Sequence, residues 1–233
     1  MNFKMPLIKG KLIKRYKRFF ADIELDNGEI ITSHCPNTGS MVAIDTPGLE
    51  AWVSPVDPES TRKLRYTWEM VLVDGNYVGV NTNRPNELVE EAILNNSIPE
   101  LASYTQYKRE VKYGDNSRID FLLGGNGIKP CYLEIKNVHL KRDDHAKFPS
   151  SVTSRGSKHM SELINMVQNG FDAMVIYVVQ REDCDYFSVA GDIDPNYATM
   201  MHKSHESGVK HLCYSCKISP LGVYIEKHTQ IIW

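Results

Sequence analysis

Five short β-rich segments crowd the first 80 residues: LIKGKLIKRY, FFADIELDNG, EIITSHC, LEAWVS and LRYTWEMVLVDG. Turn signals separate them at Asp26-Asn27-Gly28, Asn37-Thr38-Gly39, Pro47-Gly48 and Asp74-Gly75. Apolar and polar residues alternate within them, the period of a half-buried strand. Strands this short and this regularly spaced bury a core by closing into a small barrel or packing as a sandwich.

Near residues 81–86 the pattern changes. In NELVEEAILNN the residues Leu88, Val89, Ala92 and Ile93 make an apolar stripe at helical spacing, with Asn86 read as the N-cap. Beyond it, strands are expected around YKREVKY, AMVIYVVQ, HLCYSCKI and GVYIEK, and helices over GSKHMSELINMVQNG and NYATMMHKSHESG. Mixed elements of this kind predict an α/β or α+β domain. The expected division is residues 1–82 and 83–233.

The composition, 42% hydrophobic and 24% charged, is that of a soluble globular protein. A net charge of −2 excludes a polycation, so a nucleic-acid partner has to be met by a local basic face. The N-terminal stretch supplies one: Lys4, Lys9, Lys11, Lys14, Arg15, Lys17 and Arg18 precede the first acid, Asp22. Two readings stay open there, a strand edge protected by lysines and a phosphate-contacting patch. Tyr16, Phe19, Phe20 and Trp68 interleave with Arg15, Lys17, Arg18 and Arg65. That mixture suits a groove that stacks bases beside cations, although rings in small barrels also serve as core.

Five cysteines form an odd set without disulfide-scaffold density. Cys213 and Cys216 make a CxxC with no second pair to complete a zinc site, so free thiols are expected. His34 and Cys35 likewise lack local partners, and Pro36-Asn37-Thr38-Gly39 reads as a turn. The basic N-terminus lacks the apolar centre of a signal peptide. The run AMVIYVV is too short to span a bilayer. A cytoplasmic protein with no membrane partner is expected. Neither a P-loop nor a dinucleotide-binding glycine fingerprint is present, which argues against a small-molecule enzyme of sugar metabolism.

One hairpin is chemically conspicuous. RIDFLLGGNGIKPCYLEIKNV sets Asp120, Glu134 and Lys136 into apolar strands around a glycine-rich turn. Charges there are costly unless paired or bound to something. Strand alternation places Ile119, Phe121 and Leu123 on one face and Arg118, Asp120 and Leu122 on the other; across the turn Glu134 and Lys136 share a face. Two converging carboxylates repel, and a hard divalent cation, Mg²⁺ or Mn²⁺, relieves that repulsion. Lys136 beside them is suited to orienting water or stabilising charge on a phosphorane. The alternative is a surface hairpin whose charges pair across it; a second ExK at Glu110-Val111-Lys112 has no preceding strand acid.

The stretches RYKRFFADIEL, HCPNTGSM, RYTWEMV, VGVNTNRPN, REVKYGDNSRIDFLL, CYLEIKNV, SSVTSRGSKH and VVQREDC resemble the bacterial and archaeal sugar fermentation stimulation protein A family, in order and end to end. The resemblance implies an N-terminal OB-fold-like barrel joined to a restriction-endonuclease-like PD-(D/E)xK domain. It also implies sequence-independent DNA binding, with a proposed regulatory link to maltose metabolism. Its nuclease-type motif falls on Asp120, Glu134 and Lys136, with Ile119 where the motif's name has Pro. Glu91 on the first helix is an auxiliary metal candidate, and Arg155, Lys158 and His159 at a helix start are phosphate-contact candidates. Lys14, Arg15, Lys17, Arg18 and Arg65 complete the expected nucleic-acid surface. Catalysis does not follow from fold, so a metal-dependent DNA nuclease and a non-catalytic DNA-binding regulator both stand as expectations.

Overall fold

A computed structural model describes every residue except Asp115. The β-rich N-terminal segments form β1 (Ile8–Tyr16), β2 (Phe20–Leu25), β3 (Ile30–His34), β4 (Glu50–Pro55) and β5 (Tyr66–Val73), with β6 (Asn76–Gly79) added at the edge. They run in the order β3-β2-β1-β4-β5-β6, and a β3–β5 pairing at His34 and Thr67 closes the first five into an OB-type barrel. β1 serves both β2 and β4, and Gly10 makes this tight corner possible: a Cβ there would lie 2.4 Å from the Glu24 carbonyl oxygen. Alternate strand residues, among them Leu12, Ile23, Val53 and Trp68, fill the barrel interior with Met41 and Ile44.

The second half is a three-layer α/β arrangement. Its sheet contains β7 (Gln106–Tyr113), β8 (Ser117–Gly125), β9 (Ile128–Val138), β12 (Asp172–Val179), β14 (Lys210–Ser219) and β15 (Gly222–His228). The order is β15-β14-β12-β9-β8-β7, with β9, β12 and β14 parallel at the centre. The continuous apolar run in β12 is what a parallel strand covered on both faces requires. One face packs on α1 (Arg84–Asn95) through Leu88, Val89, Ala92 and Ile93, as the stripe predicts. The other packs on α2 (Ser154–Gln168) and α3 (Pro195–Glu206) through Met160, Leu163, Tyr197 and Met201.

Four very short strands, β10 (Leu140–Arg142), β11 (His145–Phe148), β13 (Tyr186–Val189) and β16 (Gln230–Ile232), form a small additional sheet. The CxxC cysteines face opposite layers, Cys213 toward α2 and Cys216 toward α1, and all five cysteines are buried free thiols. Among the described residues no helix is long and apolar enough to cross a membrane.

α1 begins three residues earlier than its pattern suggests, capped at Asn83 and not at Asn86. Asn83 occupies the cap position, Pro85 sits in the first turn where its missing N–H does no harm, and the Asn83 N–H bonds Asn81 Oδ1. Asn86 is thereby released from capping. Its amide turns to the neighbouring sheet instead.

Candidate functional site

Asp120 and Glu134 sit where β8 and β9 part. Residues Phe121, Leu122 and Leu123 pair with Leu133, Tyr132 and Cys131. At the next position the ladder opens, and the Ile135 N–H donates to Asp120 Oδ2 at 2.7 Å. A side-chain carboxylate has taken the place of a backbone acceptor. The twist at this point also overturns simple alternation: Ile119 packs into the layer under α2, whereas Phe121 and Leu123 pack under α1. On the outer neighbour β7, Glu110 adopts a left-handed φ of 53° opposite the same break.

Asp120 Oδ1 accepts from Asn86 Nδ2 at 2.9 Å, so the start of α1 steers the carboxylate. Burial first, then the Glu134 charge, push the Asp120 carboxyl up to about 6 in spite of both bonds. Glu134 is 4% exposed. Its Oε1 accepts from Lys136 Nζ at 2.7 Å and from His159 Nδ1 at 2.5 Å. Burial favours the neutral acid, but the Lys136 charge and the His159 hydrogen bond outweigh it and hold the carboxyl below its usual range. Glu134 Oε2 is buried without a hydrogen-bond partner.

The three hairpin charges are therefore brought together, Lys136 bonded to Glu134 and Asp120 close enough to feel both charges. Of the helix-start cluster, Arg155 and Lys158 are exposed, and with Asn116, Ser117, Arg118, Ser154 and His159 they line a cleft of about 590 Å³. His159 itself is 3% exposed and acts on Glu134. Its Nε2 accepts from Arg155 Nε at 3.4 Å, which leaves Nδ1 to donate to the glutamate. The helix-start reading found the residue but assigned it to phosphate; the structure gives it a carboxylate.

Glu91 is not brought to this pocket. It lies five residues beyond Asn86, about 140° round the helix, and its Oε2 binds the Met1 α-ammonium at 2.7 Å. Two of the barrel arginines are also occupied. Arg15 Nη2 donates to the Asn37 and Gly39 carbonyls and Nη1 pairs with Asp45. Arg65 donates to the Ser60 and Asp57 carbonyls, bracing the β4–β5 loop. Lys14, Lys17 and Arg18 remain exposed, with Lys14 Nζ 5.3 Å from the Tyr16 ring and Arg18 Nε donating to Thr38 O. Trp68 is entirely core, Tyr16 and Phe20 stack on each other, and Phe19 is exposed.

Two further groups border the carboxylates. Glu162, one helical turn beyond Lys158, is buried with neither oxygen hydrogen-bonded, Lys158 Nζ standing 3.6 Å away. The Tyr113 hydroxyl is buried without a partner, and burial together with the Glu134, Glu162 and Asp120 charges pushes its pKa upward. Neither carried a sequence signal, because each belongs to an otherwise ordinary helix or edge-strand pattern.

An OB barrel fused to an α/β domain whose central hairpin carries Asp120, Glu134 and Lys136 defines the class. Residues 13–80 match the SfsA N-terminal OB domain, and residues 83–222 match the sugar fermentation stimulation protein RE domain. A sugar fermentation stimulation protein homolog of Maricaulis maris is 50% identical over 99% of this chain and 98% of its own length. Another, from Paramagnetospirillum magneticum, is 50% identical over 96% and 94%. The structure of Pyrococcus furiosus SfsA in complex with Ca²⁺ superposes with a TM-score of 0.91, covering 100% of this chain and 98% of that one at 23% identity. The chain belongs to the sugar fermentation stimulation protein family.

Proposed function

We propose that the protein is a DNA-binding phosphodiesterase whose cutting centre is Asp120, Glu134 and Lys136. One observation carries this reading: a 4%-exposed carboxylate, Glu134, turns one oxygen to two donors and leaves the other buried and unpartnered beside a second carboxylate. Buried acceptors are ordinarily satisfied, and two acids held together against their repulsion suit a hard cation. The residues fit Mg²⁺ or Mn²⁺, which Asp120 and Glu134 would hold. Such a cation, when bound, supplies Lewis-acid polarisation of a phosphodiester oxygen. The calcium complex of the Pyrococcus furiosus protein supports divalent-cation binding on this architecture.

The protein's own groups do the rest. His159 and Lys136 fix the rotamer of Glu134, and Asn86 and the Ile135 N–H fix Asp120. Lys136, 11% exposed at its side chain, would orient the attacking water by donating a hydrogen bond to its oxygen, or stabilise charge growing on the phosphorane. Arg118, Arg155 and Lys158 along the adjoining cleft neutralise flanking phosphates.

A second reading has its own support. Both Asp120 oxygens already accept hydrogen bonds. Among the described residues no three His, Cys, Asp or Glu side chains converge as a ready-made ligand set. Both features suit a site that does not cut, and with the family resemblance they support a non-catalytic DNA-binding regulator linked to maltose metabolism. Incubating wild type and Asp120→Ala with single-stranded, duplex and branched DNA in Mg²⁺, Mn²⁺ or EDTA decides between them. Metal-dependent cutting lost in the variant supports the phosphodiesterase; binding without cutting under every condition supports the regulator. Binding insensitive to salt counts against both.

A further inference from the structure

Lys136 opens onto a second cleft, of about 230 Å³, at the junction of the two domains. Thr38 and Gly39 of the barrel form one wall, and Ser150, Ser151 and Thr153 form the other. The barrel wall is fixed. Thr82 Oγ1 donates to Pro36 O at 3.1 Å, His139 Nε2 lies 3.0 Å from Ser40 O, and Arg15 holds the Asn37 and Gly39 carbonyls. The walls also approach closely, since a Cβ on Gly39 would stand 3.3 Å from Ser150 Oγ.

The two clefts adjoin. Thr153 lines the smaller and Ser154 the larger, so they meet at the N-terminus of α2. The bonded chain His159–Glu134–Lys136 runs from one to the other. Neither is lined by a carboxylate among the described residues. Hydroxyls, amides and cations are the groups that contact a nucleic-acid backbone. The smaller cleft falls below the roughly 300–1,000 Å³ of pockets that enclose a drug-sized molecule. It has room for a unit of one backbone between its two walls.

Resting on the phosphodiester reading of the site, we propose that the clefts form one channel for single-stranded DNA. The strand runs round the start of α2 from Arg118, Arg155 and Lys158 to Lys136, and intact duplex does not enter. The barrel residues 37–39 are thus a wall of the substrate channel.

The test measures binding without cutting. Fluorescence anisotropy compares a roughly 20-nucleotide thymidine strand with a blunt duplex of equal length, using wild type in EDTA and Asp120→Asn. The single strand is expected to bind at least about tenfold tighter, and Ser151→Trp, at an exposed wall position, to weaken it by about fivefold or more. Photocross-linking of strands carrying an aryl-diazirine, whose carbene inserts into any nearby X–H bond, to the wild type needs no variant and should label peptides covering residues 37–39 and 149–155. Equal or tighter duplex binding, or cross-links confined to other surfaces, overturns the channel. The two readings fail separately: single-strand cross-links here without cutting remove the hydrolase and keep the channel, and preferential cutting of duplex does the reverse.

Discussion

Of the three glutamates buried among the described residues, Glu69 and Glu134 lie at comparable depth and are treated in opposite ways. Glu69, on β5 of the barrel, is 3% exposed. Its Oε1 accepts from Ser54 and Arg84, and its Oε2 from Asn81 and Arg84 again. Glu134 is 4% exposed, yet two donors crowd one oxygen and none reaches the other. The first is a bolt: a bidentate carboxylate–guanidinium pair fastening the barrel to the start of α1. The second is a carboxylate kept short of partners. Burial alone does not separate these two glutamates, whereas their hydrogen bonding does.

The largest contrast should come from removing each centre. Asp120→Ala is expected to reduce divalent-metal-dependent DNA cutting by on the order of a thousandfold or more while leaving the protein folded. Glu69→Ala leaves the half-buried Arg84 with Glu87 as its one remaining carboxylate partner and is expected to cost about 3 kcal/mol of stability, a fall in Tm on the order of 10 °C. Paired thermal melts and cutting assays check both. A folded but fully active Asp120→Ala would remove Asp120 from the cutting centre. A Glu69→Ala protein as stable as wild type would show that the bolt is dispensable.

Legibility in the sequence followed the same divide. Strand-length alternation and the Leu88 stripe were readable because burial is periodic, and the ExK acids were readable because charge in an apolar strand is exceptional. The four strands of the small sheet were not, since three or four residues establish no period. Asn86 looked like a cap because Asn often is one; only the Asn81–Asn83 turn and Pro85 show that the helix starts earlier. Arg15 and Arg65 looked like a phosphate surface because sequence reveals a charge but not the backbone carbonyls that absorb it. His159 was found by its neighbours and misassigned for want of the contact with Glu134, 25 residues away.

Acidity should expose the strain at the second centre. The folded-state pKa of Asp120, raised to about 6, exceeds the ordinary carboxylate value of 3.8. Between those two values the folded protein keeps a proton that the unfolded chain has lost, so stability falls as pH rises through this window. The deficit is complete above pH 6 and amounts to on the order of 2–3 kcal/mol. In EDTA, Asp120→Asn should therefore gain on wild type from pH 4 to pH 7 in urea melts. A constant difference between the two across that range would mean that the carboxylates do not strain one another. Glu134→Gln should shrink the effect, because the Glu134 charge is part of its cause.

The smallest effect separates cations that brace from cations that face outward. Arg65 donates to Ser60 and Asp57 carbonyls within its own loop, whereas Lys17 is exposed at the tip of the β1–β2 turn. Lys17→Gln should leave the melt unchanged and lower the slope of log affinity against log salt for DNA by about 1. Arg65→Lys keeps the charge but loses the planar fork, so it should lower stability by about 1 kcal/mol and leave that slope alone. If the two variants instead change the salt slope equally, the Arg65 guanidinium reaches phosphate as well as its loop. The barrel's basic surface would then extend from the β1–β2 turn to the β4–β5 loop, and the contrast between brace and contact would hold for Arg15 alone.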